Sequence, residues 1–507
     1  MPIIEKNLKP AFLFWGFAFI HFFLWTLVPA LVSPNQPLDV IEGYAWGREW
    51  LIGTAKHPPM QAWCLEIMSF LTGRAAWGSF LASQIAVVTA FWAVWQLGRL
   101  ITNERNALLG VLLLEGVAYF NLTSPEFNPN ILLPAFWSLS ALFFYRALRD
   151  NRLLDWALTG LWIAGGLYAK YATGLLLFVF VFILVFHADA RKNLRGIGPY
   201  VALLIATVLF LPHLVWLWDH AFLPFAYAES RTIHAKQALD YFLYPLHFIG
   251  SQFLAALGAL FLFFGSFGNR LDENRTTSSF DRFFLTALCF GPIIILVLSS
   301  LIGGLKMRDM WGAGLWSWLG LWLVAIFPPA PSKKFAPPFV GGFWALFFLF
   351  LLVLVLSDSV FPPLGRKAKR IHFPGMAIAR GIETEWEKTS GDPLRYVVGD
   401  VWLAGNVAFY AGNDGRTDRP HVFIDANNAV SPWIDENDLK RSGGVLVWCG
   451  MGCHDEDAAK NIPAYMMQRF PNAKLQKELI IASRKTSDFL PFVVGWAIIP
   501  KDLLRNK

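Results

Sequence analysis

Two short charged segments interrupt a strongly apolar chain. The first runs Asp39-Val-Ile-Glu42-Gly-Tyr44, through Arg48-Glu49, to Lys56-His57-Pro58-Pro59. The second is Lys306-Met-Arg308-Asp309. A carboxylate such as Asp39 or Glu42 could take a proton from an acceptor hydroxyl or amine as a general base. Their spacing of three puts both on one face if the segment is helical. Read more plainly, each is a solvated loop acid or caps the helix carrying Tyr44 and Arg48. Lys56 and His57 precede a proline pair that fixes a helix entry, and cations at a helix N-terminus make a phosphate site. Interfacial anchoring would use the same residues. Lys306 and Arg308 could bind a phosphodiester or diphosphate, or Arg308 could pair with Asp309.

Other segments add groups. Ala169-Lys170-Tyr171-Ala172 sets a lone lysine between tight apolar runs, either snorkelling to the interface or pointing into a cavity. Ser124-Pro-Glu126-Phe-Asn128-Pro-Asn130 is rich in hydrogen-bonding groups and could orient sugar hydroxyls, or be a Pro/Asn turn. Glu229, Arg231, His234 and Lys236 share a further segment and are not ranked. His213 and His220 read as satisfied interfacial histidines. There is no phosphate-cradling glycine loop, serine nucleophile elbow or metal-ligand spacing. That pattern suits a donor whose leaving group is already a lipid phosphate, stabilised by cations rather than by a bound nucleotide or metal.

These residues must be held by elements, and the composition says which. The 507 residues are 55% hydrophobic, with 46 Phe and 23 Trp, and the mean hydropathy is +0.45. This is a polytopic membrane protein rather than a soluble one. Residues 11–32 read as a first spanning helix, not a cleavable signal. Further apolar runs fall at 77–97, 107–122, 130–145, 153–168, 172–187, 198–218, 245–267, 283–302, 311–328 and 338–356, about eleven crossings of ~30 Å of hydrocarbon. With the N-terminus inside, Arg99 and Arg105, Arg146, Arg149 and Arg152, and Arg191, Lys192 and Arg195 all fall on inside loops, as the positive-inside rule requires. Segments 33–76, 123–129, 169–171, 219–244 and 303–310 then face outside. The net charge of +7 is scattered over short loops, which argues against nucleic-acid binding.

Residues 1–356 are thus expected to form the membrane domain. Residues 357–507 lack a spanning run and contain strand-like Arg395-Tyr-Val-Val, His421-Val-Phe-Ile and Gly444-Val-Leu-Val-Trp, with a helical stretch at 457–469. They read as a soluble α/β domain outside the membrane. Cys64 and Cys289 read as packing residues. Cys449 and Cys453 could form a disulfide if exported; zinc would have His454 as its one close extra ligand.

The stretch Leu38-Asp39-Val-Ile-Glu42-Gly-Tyr44 through Lys56-His57-Pro58-Pro59 resembles the first periplasmic loop of the polyprenol-phosphate-dependent membrane glycosyltransferases. These include protein O-mannosyltransferases, lipid A aminoarabinose transferases and rhizobial lipid A galacturonosyltransferases. Leu167-Tyr-Ala-Lys170-Tyr171-Ala-Thr-Gly resembles their Lys-Tyr segment. The resemblance covers about residues 10–356. It implies the GT-C fold, with about eleven to thirteen transmembrane helices in a bacterial inner membrane. It also implies transfer of one sugar, with inversion, from a lipid-linked monophosphate to a lipid, glycan or protein acceptor on the periplasmic side. No cofactor or metal is implied.

The family's catalytic acid lies in the first loop, commonly as Asp-Glu. Here Asp39 and Glu42 are separated. Registering Gly47-Arg48-Glu49 on the family's Ala-Arg-Glu selects Asp39, and the Glu-Gly-Tyr run selects Glu42. Lys56-His57 stands where the family often has Glu-Lys. On this reading Lys56, His57, Lys170, Lys306 and Arg308 hold the donor phosphate, and Tyr44, Glu126, Asn128 and Tyr171 contact substrate. Two other classes compete. A transporter of a lipid-linked intermediate should show internal repeats, and none is evident. A non-catalytic scaffold leaves the outside charges without a task.

Overall fold

The computed structural model describes residues 9–268, 271, 277–330, 336–360, 369–412, 418–451, 461–481 and 491–502. The chain divides into two compact units. The first takes the described residues of Met1–Val28, Ile52–Met60 and Phe80–Leu354; the second takes those of Pro29–Leu51, Gln61–Ser79 and Val355–Lys507.

The protein is a multi-pass membrane protein. Among the described residues, seven helices are long and apolar enough to cross a bilayer: Pro10–Val32 (α1), Gly78–Ile101, Pro129–Asp150, Gly198–Asp219, Asp240–Phe267, Ser279–Gly303 and Pro337–Ser359. An eighth arises if Thr173–Phe186 and Ala188–Arg195, bent by 89°, count as one. Seven of the expected runs match these helices, and four are shorter than a span. Leu153–Ala169 has 17 residues. In 107–122, the helix Glu104–Leu113 gives way to two 3-10 turns. There the Asn121 amide donates to the carbonyls of Glu115 (2.7 Å) and Val117 (3.2 Å), competing with helix continuation. In 311–328, helix occupies only Leu319–Ile326. The bent pair accounts for the fourth.

Local sequence sets the ends that matter. Asn128 caps Pro129–Asp150 by accepting from the Asn130 N–H at 2.9 Å, with Pro129 at the first helical position. Ser278 caps Ser279–Gly303, and Gly304 ends it at φ +63. A Cβ on Gly304 would lie 2.8 Å from that of Ala235. The glycine therefore permits both the left-handed turn and the pairing of β1 (Ile233–His234) with β2 (Leu305–Lys306).

The second unit contains a six-stranded sheet. Its strands are β3 (Tyr396–Gly399), β4 (His421–Ile424), β5 (Gly444–Met451), β6 (Lys474–Leu475), β7 (Leu479–Ile481) and β8 (Phe492–Ile499). The order is β4-β3-β5-β8-β6, with β7 also on β8. β3 is parallel to β4 and β5, and β8 is antiparallel to β5. The three strands expected from sequence are β3, β4 and β5. Of the expected helical stretch, Ala464–Arg469 is helical. Val398, Phe423, Leu446 and Trp448 form the core on one face. The same unit holds α2 (Leu38–Gly47) and most of α3 (Met60–Leu71). A Cβ on Gly405, in helix Val401–Tyr410, would lie 2.6 Å from Ile41 Cγ2, so this glycine lets α2 and that helix approach closely. Cys449 is disulfide-bonded, Cys64 and Cys289 are free, and Cys453 and His454 lie outside the described residues.

Candidate functional site

In the first unit Lys56, His57 and Lys170 come together from two loops, while Lys306 and Arg308 keep contacts of their own. Thr54 builds the first. Its hydroxyl accepts from the backbone N–H of Lys56 (3.3 Å) and His57 (3.0 Å) and donates to the His57 carbonyl (2.8 Å). This tight turn projects Lys56 and His57 side by side. Gly53 lets it lie on Trp216, whose ring would sit 2.2 Å from an added Cβ. Lys56 Nζ lies over the Tyr227 ring, 5.6 Å from its centre, and His57 meets the same ring edge-on at 6.5 Å.

Lys170 follows the C-terminus of helix Leu153–Ala169 and donates to Asn130 Oδ1. The Asn130 amide in turn reaches Met310 Sδ at 3.7 Å. Lys170 is also close enough to His57 to act on its charge. Burial, then Lys56, then Lys170 push the His57 imidazole down to about 3. The half-buried His57 is therefore neutral at physiological pH and able to donate one N–H.

This has a stability consequence. The unfolded chain's imidazole takes up a proton near pH 6.5, and the folded one does not until about pH 3. The contribution of His57 to folding stability is therefore complete above pH 6.5. It is lost toward pH 3 at about 1.4 kcal/mol per pH unit. The fall in melting temperature between pH 7 and pH 5 should be smaller in His57→Gln than in wild type; equal falls would refute this assignment.

Tyr171 lies beside Lys170. Its hydroxyl contacts His213 Nε2 at 2.8 Å, while His213 Nδ1 lies 2.7 Å from the Ile52 carbonyl. A carbonyl only accepts, so Nδ1 carries the proton, and Nε2 of the neutral ring accepts from Tyr171. Burial raises the Tyr171 phenol well above its ordinary range. Its ring stacks on Phe225 at 4.9 Å.

Lys306 and Arg308 lie on the β2 side. Lys306 is registered opposite Ile233 and sits over the Tyr244 ring at 5.8 Å. Arg308 donates to the Arg231 carbonyl at 3.2 Å. Asp309 faces His247 at 3.7 Å, rather than pairing with Arg308, and its carbonyl accepts from Tyr119 (2.6 Å) and Gln252 (2.9 Å). Asn128 serves as the helix cap described above, so its carbonyl oxygen has a structural task. Glu126 is half-buried in the turns that follow Asn121.

In the second unit Asp39 and Glu42 lie one turn apart on α2, as their spacing predicts. Asp39 is half-buried in the first turn, and Glu42 is 5% exposed. The Gln61 amide donates to the Asp39 carbonyl at 2.6 Å, fixing the helix start. Tyr44 is 2% exposed, packed on Phe409 at 4.7 Å, with the Arg419 guanidinium 5.2 Å from its ring centre. Burial raises its phenol, while Arg419 pulls the other way.

Sequence reasoning did not find Asn130 as the partner of Lys170, Tyr227 as the ring under Lys56 and His57, or Arg419 beside Tyr44. Asn130 carried a weak signal, as the fourth polar residue of its loop. Arg419 carried none.

Comparison with known proteins adds independent findings. Residues 56–216 match the family described as dolichyl-phosphate-mannose-protein mannosyltransferase. The chain is 24% identical over 314 residues to the lipopolysaccharide core galacturonosyltransferase RgtA of Rhizobium johnstonii, covering 58% of this chain and 61% of RgtA. It is 27% identical over 207 residues to the lipid A galacturonosyltransferase RgtD of the same organism, covering 40% and 42%. The chain thus spans about three fifths or less of these relatives. The crystal structure of ArnT from Cupriavidus metallidurans bound to undecaprenyl phosphate superposes with a TM-score of 0.62 at 13% identity, covering 96% of this chain and 97% of that one.

Proposed function

We propose that this chain, a membrane protein of the GT-C fold related to glycosyltransferases, is an inverting transferase that moves a single sugar from a polyprenyl-phosphate donor. Lipid A-type lipids, glycans and proteins on the periplasmic side of a bacterial inner membrane are the acceptor classes. The names of the rhizobial relatives favour the lipid A type and a uronic sugar. The observation that carries the reading is the meeting of Lys56, neutral His57 and Lys170 from two loops, with Asn130 tying Lys170 to the loop of Arg308. Several cationic donors aimed at one place suit a phosphate that gains charge as it leaves.

In this mechanism Asp39 or Glu42 accepts the proton of the attacking hydroxyl. The acceptor oxygen bonds to the anomeric carbon from the face opposite the phosphate. The bond from that carbon to the phosphate oxygen breaks, and its electron pair departs on the polyprenyl phosphate, inverting the centre. Lys56, Lys170, Lys306 and Arg308 stabilise the departing charge, and the His57 N–H adds a neutral donor. These groups supply the positive charge that a metal would otherwise bring. Turnover should accordingly be unchanged in excess EDTA, and loss restored by a divalent cation would contradict this.

The reading also fixes orientation. Reporter fusions after residues 103 and 192 should report cytoplasm, and a fusion after 360 periplasm. A cytoplasmic report at 360 would place the C-terminal residues on the wrong side for the proposal. The functional test is mass spectrometry of lipid A, surface polysaccharide and exported proteins from cells with and without the chain. One class should lose a single-sugar increment. No change in any class would count against transfer.

A further inference from the structure

Arg419 is a buried cation, 6% exposed, in a part of the chain that the mechanism does not use. It lies two residues before β4, and its contacts converge on the C-terminal end of α2. One guanidinium nitrogen donates to the Tyr44 carbonyl at 3.4 Å, another pairs with Glu66 on α3, and the plane lies over the Tyr44 ring. The Arg419 carbonyl accepts from the Arg48 side chain. Two residues on, His421 Nδ1 meets Glu49 at 2.7 Å.

The Tyr44 carbonyl also accepts the Arg48 backbone N–H at 3.4 Å, so the guanidinium is a second donor there, and a cation at a helix C-terminus complements the helix dipole. α2 has ten residues, too few to hold its shape alone in water. It also contains Gly43 and Gly47, each of which weakens a helix interior. Those glycines have a reason. A Cβ at Gly43 would lie 2.4 Å from Leu65, and one at Gly47 2.4 Å from the Ala62 carbonyl oxygen, so they permit close packing on α3. The helix that carries Asp39 and Glu42 is therefore held from outside, by Gln61 at its start and Arg419 at its end.

We propose that Arg419 is a positioning residue: it clamps the C-terminal turn of α2 to α3 and so fixes the carboxylates one and two turns upstream. The inference rests on the proposed role of those carboxylates as the base. A fork that reaches a carbonyl and a carboxylate together is specific to arginine. Lysine at this position keeps the charge and loses one of the two attachments. A base must hold its geometry closely for catalysis, so a loosened helix costs turnover rather than donor binding.

The test uses the full-length protein in lipid nanodiscs, comparing wild type with Arg419→Lys and Glu66→Gln. Hydrogen exchange is the first readout. Amides of residues 40–47 should exchange at least about tenfold faster in Arg419→Lys, with the β3–β5 amides unchanged. The second readout is kinetic: kcat should fall about 10- to 100-fold while affinity for polyprenyl phosphate stays within about twofold. Guanidinium ion added to Arg419→Ala should restore part of kcat. Unchanged exchange across α2, or acceleration spread evenly over the unit, overturns the clamp. If Arg419→Lys does not fold, Glu66→Gln decides by the same exchange criterion. If wild type consumes no polyprenyl-phosphate sugar, the functional reading fails, and exchange still decides whether the clamp exists.

Discussion

Asp39→Asn is expected to leave the protein folded and inserted, and to lower sugar transfer by about 10²–10⁴-fold, the range for loss of a general base. The side chain keeps its size and loses the lone-pair charge that accepts the proton. The Gln61 amide holds the start of the helix through the Asp39 backbone carbonyl, which the substitution leaves in place. Glu42→Gln is the parallel variant. Glu42 is 5% exposed, one turn along the same helix. A base must touch the incoming acceptor, so the more accessible Asp39 should show the larger loss. The check is initial-rate transfer by equal amounts of folded protein, with melting temperature as the control. Near-wild-type rates in both variants would remove the first loop from catalysis.

The second large effect is expected at the cations. Lys170→Met keeps the apolar stem and deletes the ammonium. It should lower transfer by about 10²–10³-fold, the range for removing one preorganised donor to a developing anion. Arg308→Ala should reduce transfer more than Arg308→Lys, because only a guanidinium can hold two phosphate oxygens while its remaining N–H groups reach the Arg231 carbonyl. Affinity for bare polyprenyl phosphate, read by titration, should weaken in both Lys170→Met and Arg308→Ala. Asn130→Ala should show a smaller version of the Lys170 defect, since it removes one hydrogen bond of the lysine without removing the charge. Unchanged affinity and turnover across Lys56, Lys170, Lys306 and Arg308 alanine variants would rule out the phosphate site.

How much of this was legible before the structure depends on the distance over which each feature is determined. The long apolar helices and the strands β3, β4 and β5 followed from local hydrophobic patterning; the helix bearing Asp39 and Glu42 entered only as a condition on their spacing. The four short helices did not. The apolar composition of 107–122 and 311–328 supports a span, while the breaks come from particular contacts. One is the Asn121 amide; another is Gly312, where an added Cβ would fall 1.7 Å from the Gln252 amide oxygen. Likewise, Lys170 could be singled out as a lone lysine, but its partner Asn130 lies 40 residues away. Arg419 and Glu66 are separated by 353 residues, and His21 and Glu115, a fully buried pair at 2.8 Å, by 94. Nothing in the pattern around any of these marks its partner. Residue types that can do chemistry were visible in the sequence; the pairings that orient them belong to tertiary structure.

The most direct measurement of the central claim is donor turnover by the purified chain in lipid nanodiscs. A polyprenyl-phosphate-linked sugar and a lipid A-type acceptor are supplied, and both products are quantified by mass spectrometry. The predicted result is one equivalent of free polyprenyl phosphate for each acceptor carrying one added sugar, with the new linkage inverted at the anomeric carbon and both products lost in Asp39→Asn. Folded wild-type protein that leaves hexosyl, uronosyl and aminosugar donors unconsumed would contradict it.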